Sequence, residues 1–158
     1  MNRLLSRFTV VLTTIALAFS LAIAPANAAL FHFSGTRPTT LSVQKGKLAP
    51  CPSTPNCVSS QAEDIAHQIQ PIAASSLVKI KAAIGQISDA SIISETENYL
   101  YAEFTSPLMG FVDDVEFYLD AAADVVHVRS ASRLGESDLG ANRQRVSKIR
   151  SMMYTLHA

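Results

Sequence analysis

The sequence has no tryptophan, only two cysteines in 158 residues, and charged side chains at 16% of positions. So few cysteines exclude a disulfide-dense mini-protein and leave a structural zinc site without its second ligand pair. Neither sign of charge is in excess, with 13 Lys plus Arg against 13 Asp plus Glu. Nucleic-acid binders draw much of their affinity from basic surfaces that neutralise phosphates, so a nucleic-acid partner is excluded. No glycine-rich phosphate loop, nucleophile elbow or metalloprotease helix occurs, so no cofactor and no metal is expected. The longest apolar run, Phe8 to Ile23, falls short of the roughly 20 residues that a membrane-spanning helix needs.

What is present begins with that run. Met1 to Arg7 carries two positive charges, the apolar run follows, and Ala26-Asn27-Ala28 offers small residues where a signal peptidase reads. The expectation is a cleavable signal over residues 1–28 and export to a bacterial periplasm or a thylakoid lumen, with a retained anchor as the alternative. From Ala29 the chain has 11 basic and 13 acidic residues, a formal charge of −2. Residues 29–47 mix the cluster Leu30-Phe31-His32-Phe33 with Ser, Thr, Gly and Pro and show neither helical nor strand period, which reads as an irregular leader. Its aromatics either pack on the domain edge or dock a partner. Residues 48–158 are then a single domain, large enough to bury its own core.

Within that domain, apolar spacing at Leu77, Ile80 and Ile84 predicts a helix over Ser75 to Gly85, capped by Ser75 or Ser76. The period then falls to two. Ser91 to Glu97, Tyr99 to Thr105, Phe111 to Asp120 and Val125 to Ser132 read as four strands. A hairpin across Ala121 to Asp124 pairs Phe117 with Val128, Leu119 with Val126, Glu116 with Arg129 and Tyr118 with His127. A last helix over Leu139 to Leu156 carries the stripe Val146, Ile149, Met153 and Leu156, with Asp138 as its cap. The expected fold is α+β in two layers, a four-stranded antiparallel sheet with one helix before it and one after it. Both helices cover the apolar sheet face. The opposite face, with Glu116, Tyr118, His127 and Arg129, is expected to meet solvent or a partner. On that basis Glu116→Ala costs under about 1 kcal/mol, while Phe117→Ala costs about 2–4 kcal/mol.

Two stretches carry candidate chemistry. Cys51 and Cys57 flank a turn fixed by Pro52, Pro55 and Asn56, and in an exported chain they read first as a local disulfide. A redox pair or a metal site is the lesser reading, since reactive pairs usually stand two residues apart. From Ser130 to Arg143, hydroxyls, glycines and arginines gather before a helix. Ser130, Ser132, Arg133, Asn142 and Arg143 are candidate ligands for a small anion, because helix N–H groups and guanidinium forks favour negative charge. The competing reading is structural, with caps, turns, and arginines tethered to Asp113, Asp114 or Glu136. Asp113 and Asp114 are adjacent on a strand and point to opposite faces, so they are no catalytic carboxylate pair. His127 lies on the opposite face from both Ser130 and Ser132, which argues against a nucleophile and base.

Three blocks, Gly46 to Ser60, Gly110 to Phe117, and Val128 to Gly135 continued by Asp138 to Arg143, together resemble the family called domain of unknown function 1499. The resemblance covers Gly46 to the end. It implies an exported setting in bacteria, including cyanobacteria, or in chloroplasts, and it supplies no activity and no catalytic residue. The reading that follows is an exported, non-catalytic accessory or binding protein that serves a membrane-associated complex. An enzyme or binding module for an anionic or polar ligand at Ser130 to Arg143 is the alternative. Membrane association through the apolar segment or Leu30 to Phe33 is a third.

Overall fold

The computed structural model describes residues 29–155. The expected signal over 1–28, and Leu156 of the expected helix stripe, lie outside the described residues. In chain order the elements are β1 (Cys57–Ser59), β2 (Ile72–Ala73), α1 (Val78–Gly85), β3 (Ala90–Glu95), β4 (Tyr99–Thr105), β5 (Val112–Asp120), β6 (Val125–Ser132) and α2 (Ala141–Thr155). Every named strand pairing is antiparallel, in the order β1-β6-β5-β4-β3, and β2 joins β6 on the same side as β1. The fold is α+β, with one helix before the main strands and one at the C-terminal end.

The sheet has six strands rather than four. The two additions are three and two residues long, too short to show a period of two, and they form because β6 offers them a free edge. The long strands fall where alternation places them, and β5 and β6 pair Phe117 with Val128, Leu119 with Val126, Glu116 with Arg129 and Tyr118 with His127. Helix α1 starts later than the serines suggest. Leu77 flanks its first turn with no side-chain cap, because Leu77 itself is drawn into the core. Helix α2 begins at Ala141 rather than Leu139, because Leu139 and Gly140 have left-handed φ of 52° and 83°; Asp138 still serves its first turn, accepting from the N–H groups of Gly140 at 2.9 Å and Asn142 at 2.8 Å.

One face of the sheet packs against both helices. Leu100, Ala102 and Phe104 of β4, Val115 and Phe117 of β5, and Val126 and Val128 of β6 meet Ile80 and Ile84 of α1 and Val146, Ile149 and Met153 of α2. The other face departs from expectation. Asp114 and Glu116 are buried, Glu116 completely, and Arg129 is nearly so. Of the four residues expected to meet solvent or a partner, only Tyr118 and His127 remain partly open.

The leader supplies much of that cover. Phe31 and Phe33 donate their N–H groups to the carbonyls of Leu108 and Met109 at 3.1 and 3.2 Å. Gly35 lies against Arg133 and Leu134, and Gly46 faces the Tyr118 hydroxyl. Arg37 binds Glu103 through both a short Nε contact and Nη2 at 3.0 Å. The segment therefore runs along β5 from the β4–β5 turn to Tyr118. Its first anchor depends on Gly110, which has φ +68° and would place a Cβ 2.2 Å from the Phe31 carbonyl oxygen. Gly110→Ala is expected to cost about 1–3 kcal/mol and to unseat the leader. Faster chymotryptic cleavage after Phe33 is the readout, and an unchanged rate would show that the leader holds without this contact.

Candidate functional site

The chemistry-bearing residues of the sheet follow from strand alternation. Tyr99, Tyr101 and Glu103 of β4 face the same way as Asp114, Glu116 and Tyr118 of β5, because Tyr101 pairs with Glu116 and Glu103 with Asp114. Arg129 of β6 stands beside Glu116, and Arg133 follows the strand end.

These groups bind one another. Arg133 grips Asp114 through Nε at 2.9 Å and Nη2 at 2.6 Å, reaches the Tyr101 hydroxyl at 3.1 Å, and pairs closely with Glu103. The Tyr101 hydroxyl stands 2.5 Å from Asp114 Oδ1, and the Tyr99 hydroxyl donates to Glu116 Oε1 at 2.9 Å. Arg129 Nη1 reaches Glu116 Oε2 at 3.4 Å, while Arg129 Nε has no protein partner. Burial works against the Arg133 cation, yet its bonds to Asp114 and Glu103 outweigh that and hold its pKa above the ordinary value. Burial, then the carboxylates of Glu116 and Asp114, push the phenols of Tyr99 and Tyr101 upward.

Two carboxyls shift in opposite directions. The Arg37 hydrogen bond, against the cost of burial and with help from Arg133 and Tyr101, lowers Glu103 from 4.5 to about 2. Its contribution to stability is thus full above its unfolded value and is lost as pH falls toward 2. Glu116 is raised above 4.5 by burial, which outweighs its bonds to Tyr99 and Arg129. The folded state therefore gains relative stability as pH falls through that raised value toward 4.5. Thermal midpoints are expected to peak in mildly acidic solution and to drop below it. Glu116→Gln should remove the gain on leaving neutrality, and Glu103→Gln should flatten the drop. A wild-type midpoint that falls steadily from neutral pH would contradict both assignments.

The five residues expected to bind an anion do not meet at one place. Ser130, Ser132 and Asn142 do converge, on the helix side of the sheet. The Ser130 hydroxyl donates to Asn142 Oδ1 at 2.6 Å, and Asn142 Nδ2 donates to Ser132 Oγ at 3.0 Å, Asp138 Oδ2 at 2.8 Å and the Asn56 carbonyl at 3.0 Å. Arg145 completes the cluster, giving Nη1 to Asn142 Oδ1 and Nη2 to Asp113, with its guanidinium 4.9 Å from the Phe104 ring centre. Arg133 is on the opposite face. Arg143 turns outward to the carbonyls of Gln68 and Ala66 at 2.8 and 2.9 Å. Positions 130 and 133 fall on opposite sides of an extended chain, which separates them however close they are in sequence.

The disulfide forms between Cys51 and Cys57. Its loop is fixed from two sides: His67 Nε2 lies 3.1 Å from the Thr54 carbonyl and its Nδ1 2.6 Å from Asp64, and Asn56 Nδ2 donates to the Gly135 carbonyl at 2.7 Å. The three blocks that carry the family resemblance are thereby joined. Asn56 meets Asn142 and Asp114 meets Arg133, while Asp113 meets Arg145 just beyond the third block.

Other parts of the surface are open. A groove of about 670 Å³ lies between the leader and the chain after β1, lined by Ser42, Gln44, Leu48, Cys51, Gln61 and Asp64 among others. Gln61 clasps its two walls, accepting from Leu48 N–H at 2.9 Å and donating to the Gly46 carbonyl at 2.9 Å. Beside it, Tyr118 and His127 stack with ring centres 6.1 Å apart. The serine that meets His127 is Ser60, 3.2 Å from Nδ1, which also accepts the Val128 N–H at 2.9 Å. Sequence reasoning missed Ser60, Tyr101, Glu103, Asn56 and Arg145. The alternation of β4, Tyr-x-Tyr-x-Glu opposite the acidic side of β5, was the signal available for the second and third. Among the described residues no group of three or more His, Cys, Asp or Glu side chains is placed to hold a metal ion, and no helix is long and apolar enough to cross a membrane.

A family model described as "Protein of unknown function (DUF1499)" matches residues 47–153. No curated protein and no solved structure matches the chain.

Proposed function

We propose that this chain, which belongs to the DUF1499 family, is an exported, non-catalytic accessory protein that binds a polar segment of a membrane-associated complex in its groove. The observation that carries this reading is the use to which the reactive groups are put. Glu103, Asp114, Glu116, Arg129 and Arg133 are engaged with one another or with tyrosine hydroxyls, and Asp113 is engaged with Arg145. Groups held in this way fix strands and leader in place, and a proton or electron pair spent on a buried ion pair is not offered to a substrate. The open groove mixes uncharged hydrogen-bonding groups, Ser42, Gln44 and Gln61 with Ser59 behind them, with apolar Leu48, Ala49 and Pro50 and with Lys47, Glu63 and Asp64, a combination that suits recognition of a polar chain. Export rests on the sequence of Met1 to Ala28, and an oxidising compartment suits the Cys51–Cys57 disulfide.

The test is a photocrosslinking residue placed at Ser42 in the groove, and separately at exposed Ser88 on the helix side, in the full chain within its own cells. The reading expects one dominant adduct from position 42, absent from position 88 and reduced by Gln61→Ala, which opens the groove without touching the charged network. Equal adducts from both positions, or none from the groove, would remove it.

A further inference from the structure

At the end of the sheet that holds the β4–β5 turn, the surface changes character. Leu30 and Leu108 are 72% and 60% exposed, and Phe31, Phe33 and Phe111 are also exposed. The rings form a continuous row, Phe31 to Phe33 at 6.3 Å and Phe33 to Phe111 at 5.5 Å between centres. Two segments carry the row, Ala29 to Thr36 and Phe104 to Val112, and neither contains a Lys, Arg, Asp or Glu, while Asp89, whose carbonyl accepts the Thr105 N–H at 2.8 Å, borders this end. Backbone bonds from Phe31 and Phe33 to the turn, and the close seat of Phe31 on Gly110, hold the row in a fixed arrangement. Five large apolar side chains kept together in a fixed row cost free energy in water unless something covers them.

The chain itself indicates what does. The apolar run Phe8 to Ile23 is a bilayer-seeking sequence, and only seven residues lie between Ile23 and Phe31, at most about 28 Å of extended chain from one to the other. An apolar segment in a bilayer would hold this end of the domain, rather than the opposite one, within that distance of the lipid. We infer that the row Phe31, Phe33 and Phe111, with Leu30 and Leu108, is a membrane-docking surface that seats the domain on the interfacial region of a lipid bilayer by apolar contact. Docking here leaves the groove, which opens between the middle of the leader and the chain after β1, clear of the membrane. The inference does not depend on what the groove binds.

The absence of tryptophan supplies a clean reporter. Phe33→Trp in the full chain is mixed with phosphatidylcholine vesicles, with and without brominated acyl chains. The expected result is a blue-shifted emission quenched by the brominated lipid and unaffected by added salt, since no charge takes part. Leu108→Ser and Phe111→Ser together, in the same background, should weaken partitioning by about tenfold while leaving the thermal transition cooperative. Leu108→Ser alone, at the exposed tip, keeps the test valid if the pair unfolds. Because every variant carries the same first 28 residues, equal vesicle binding by all of them would assign the affinity to that segment and overturn the proposal. It would also fall if vesicles left the emission unchanged, or if the shift followed protein concentration without lipid, which would make the row a contact between copies.

Discussion

Asp114→Ala lowers the unfolding free energy by about 3–5 kcal/mol in urea titration. The reason is the company Asp114 keeps. It is buried on the sheet face under the leader and accepts from Arg133 Nε, Arg133 Nη2 and the Tyr101 hydroxyl. Removing the carboxylate leaves a buried guanidinium with only Glu103, which Arg37 shares, as its anionic partner, and an under-compensated buried charge is more costly than a missing contact. The double variant Asp114→Ala, Arg133→Met is expected to recover part of the loss, because an apolar replacement of both partners leaves no stranded charge. A cost below about 1 kcal/mol would be that of a surface pair and would mean that water reaches this face.

Phe117→Ala is expected to cost about 3–5 kcal/mol, as a large side chain with no exposure at the centre of the core leaves a cavity that the sheet cannot collapse. The informative comparison is its neighbour. Glu116 points the opposite way and is equally buried, bonded to Tyr99 and Arg129. Glu116→Ala is therefore expected to cost about 2–4 kcal/mol, well above the figure that a solvated sheet face implies. A small loss for Glu116→Ala beside a large one for Phe117→Ala would restore a one-sided sheet.

That comparison marks where the sequence could be read and where it could not. Alternation and register in β5 and β6 are local properties, so the pairing of Glu116 with Arg129 and of Phe117 with Val128 is legible from spacing. Whether the polar side is wet is not local. It depends on a leader with no periodicity of its own, whose path is fixed by Arg37 on Glu103, by Phe31 against Gly110 and by Gln61 holding Gly46 and Leu48. Strands β1 and β2 escaped because two or three residues carry no period. At the Ser130 to Arg143 segment the residue types were visible, but their directions were not. Arg133 lies beyond the last strand on one face while Ser130 and Asn142 meet on the other, so a stretch contiguous in sequence is divided between two networks. The cap at Asp138 and the Cys51–Cys57 loop were readable because a helix start and a short proline-bearing turn are themselves local.

The claim that organises these findings is that the charged residues build a rigid platform and the open surfaces do the binding. The measurement that tests it most directly is the native mass of the protein, taken gently from the exported and membrane fractions of its own cells with co-migrating chains identified. The account predicts a defined assembly larger than one chain, recovered from the membrane fraction, which Gln61→Ala dissociates while the domain stays folded. A monomer in every fraction, unaltered by changes in the groove, would contradict it.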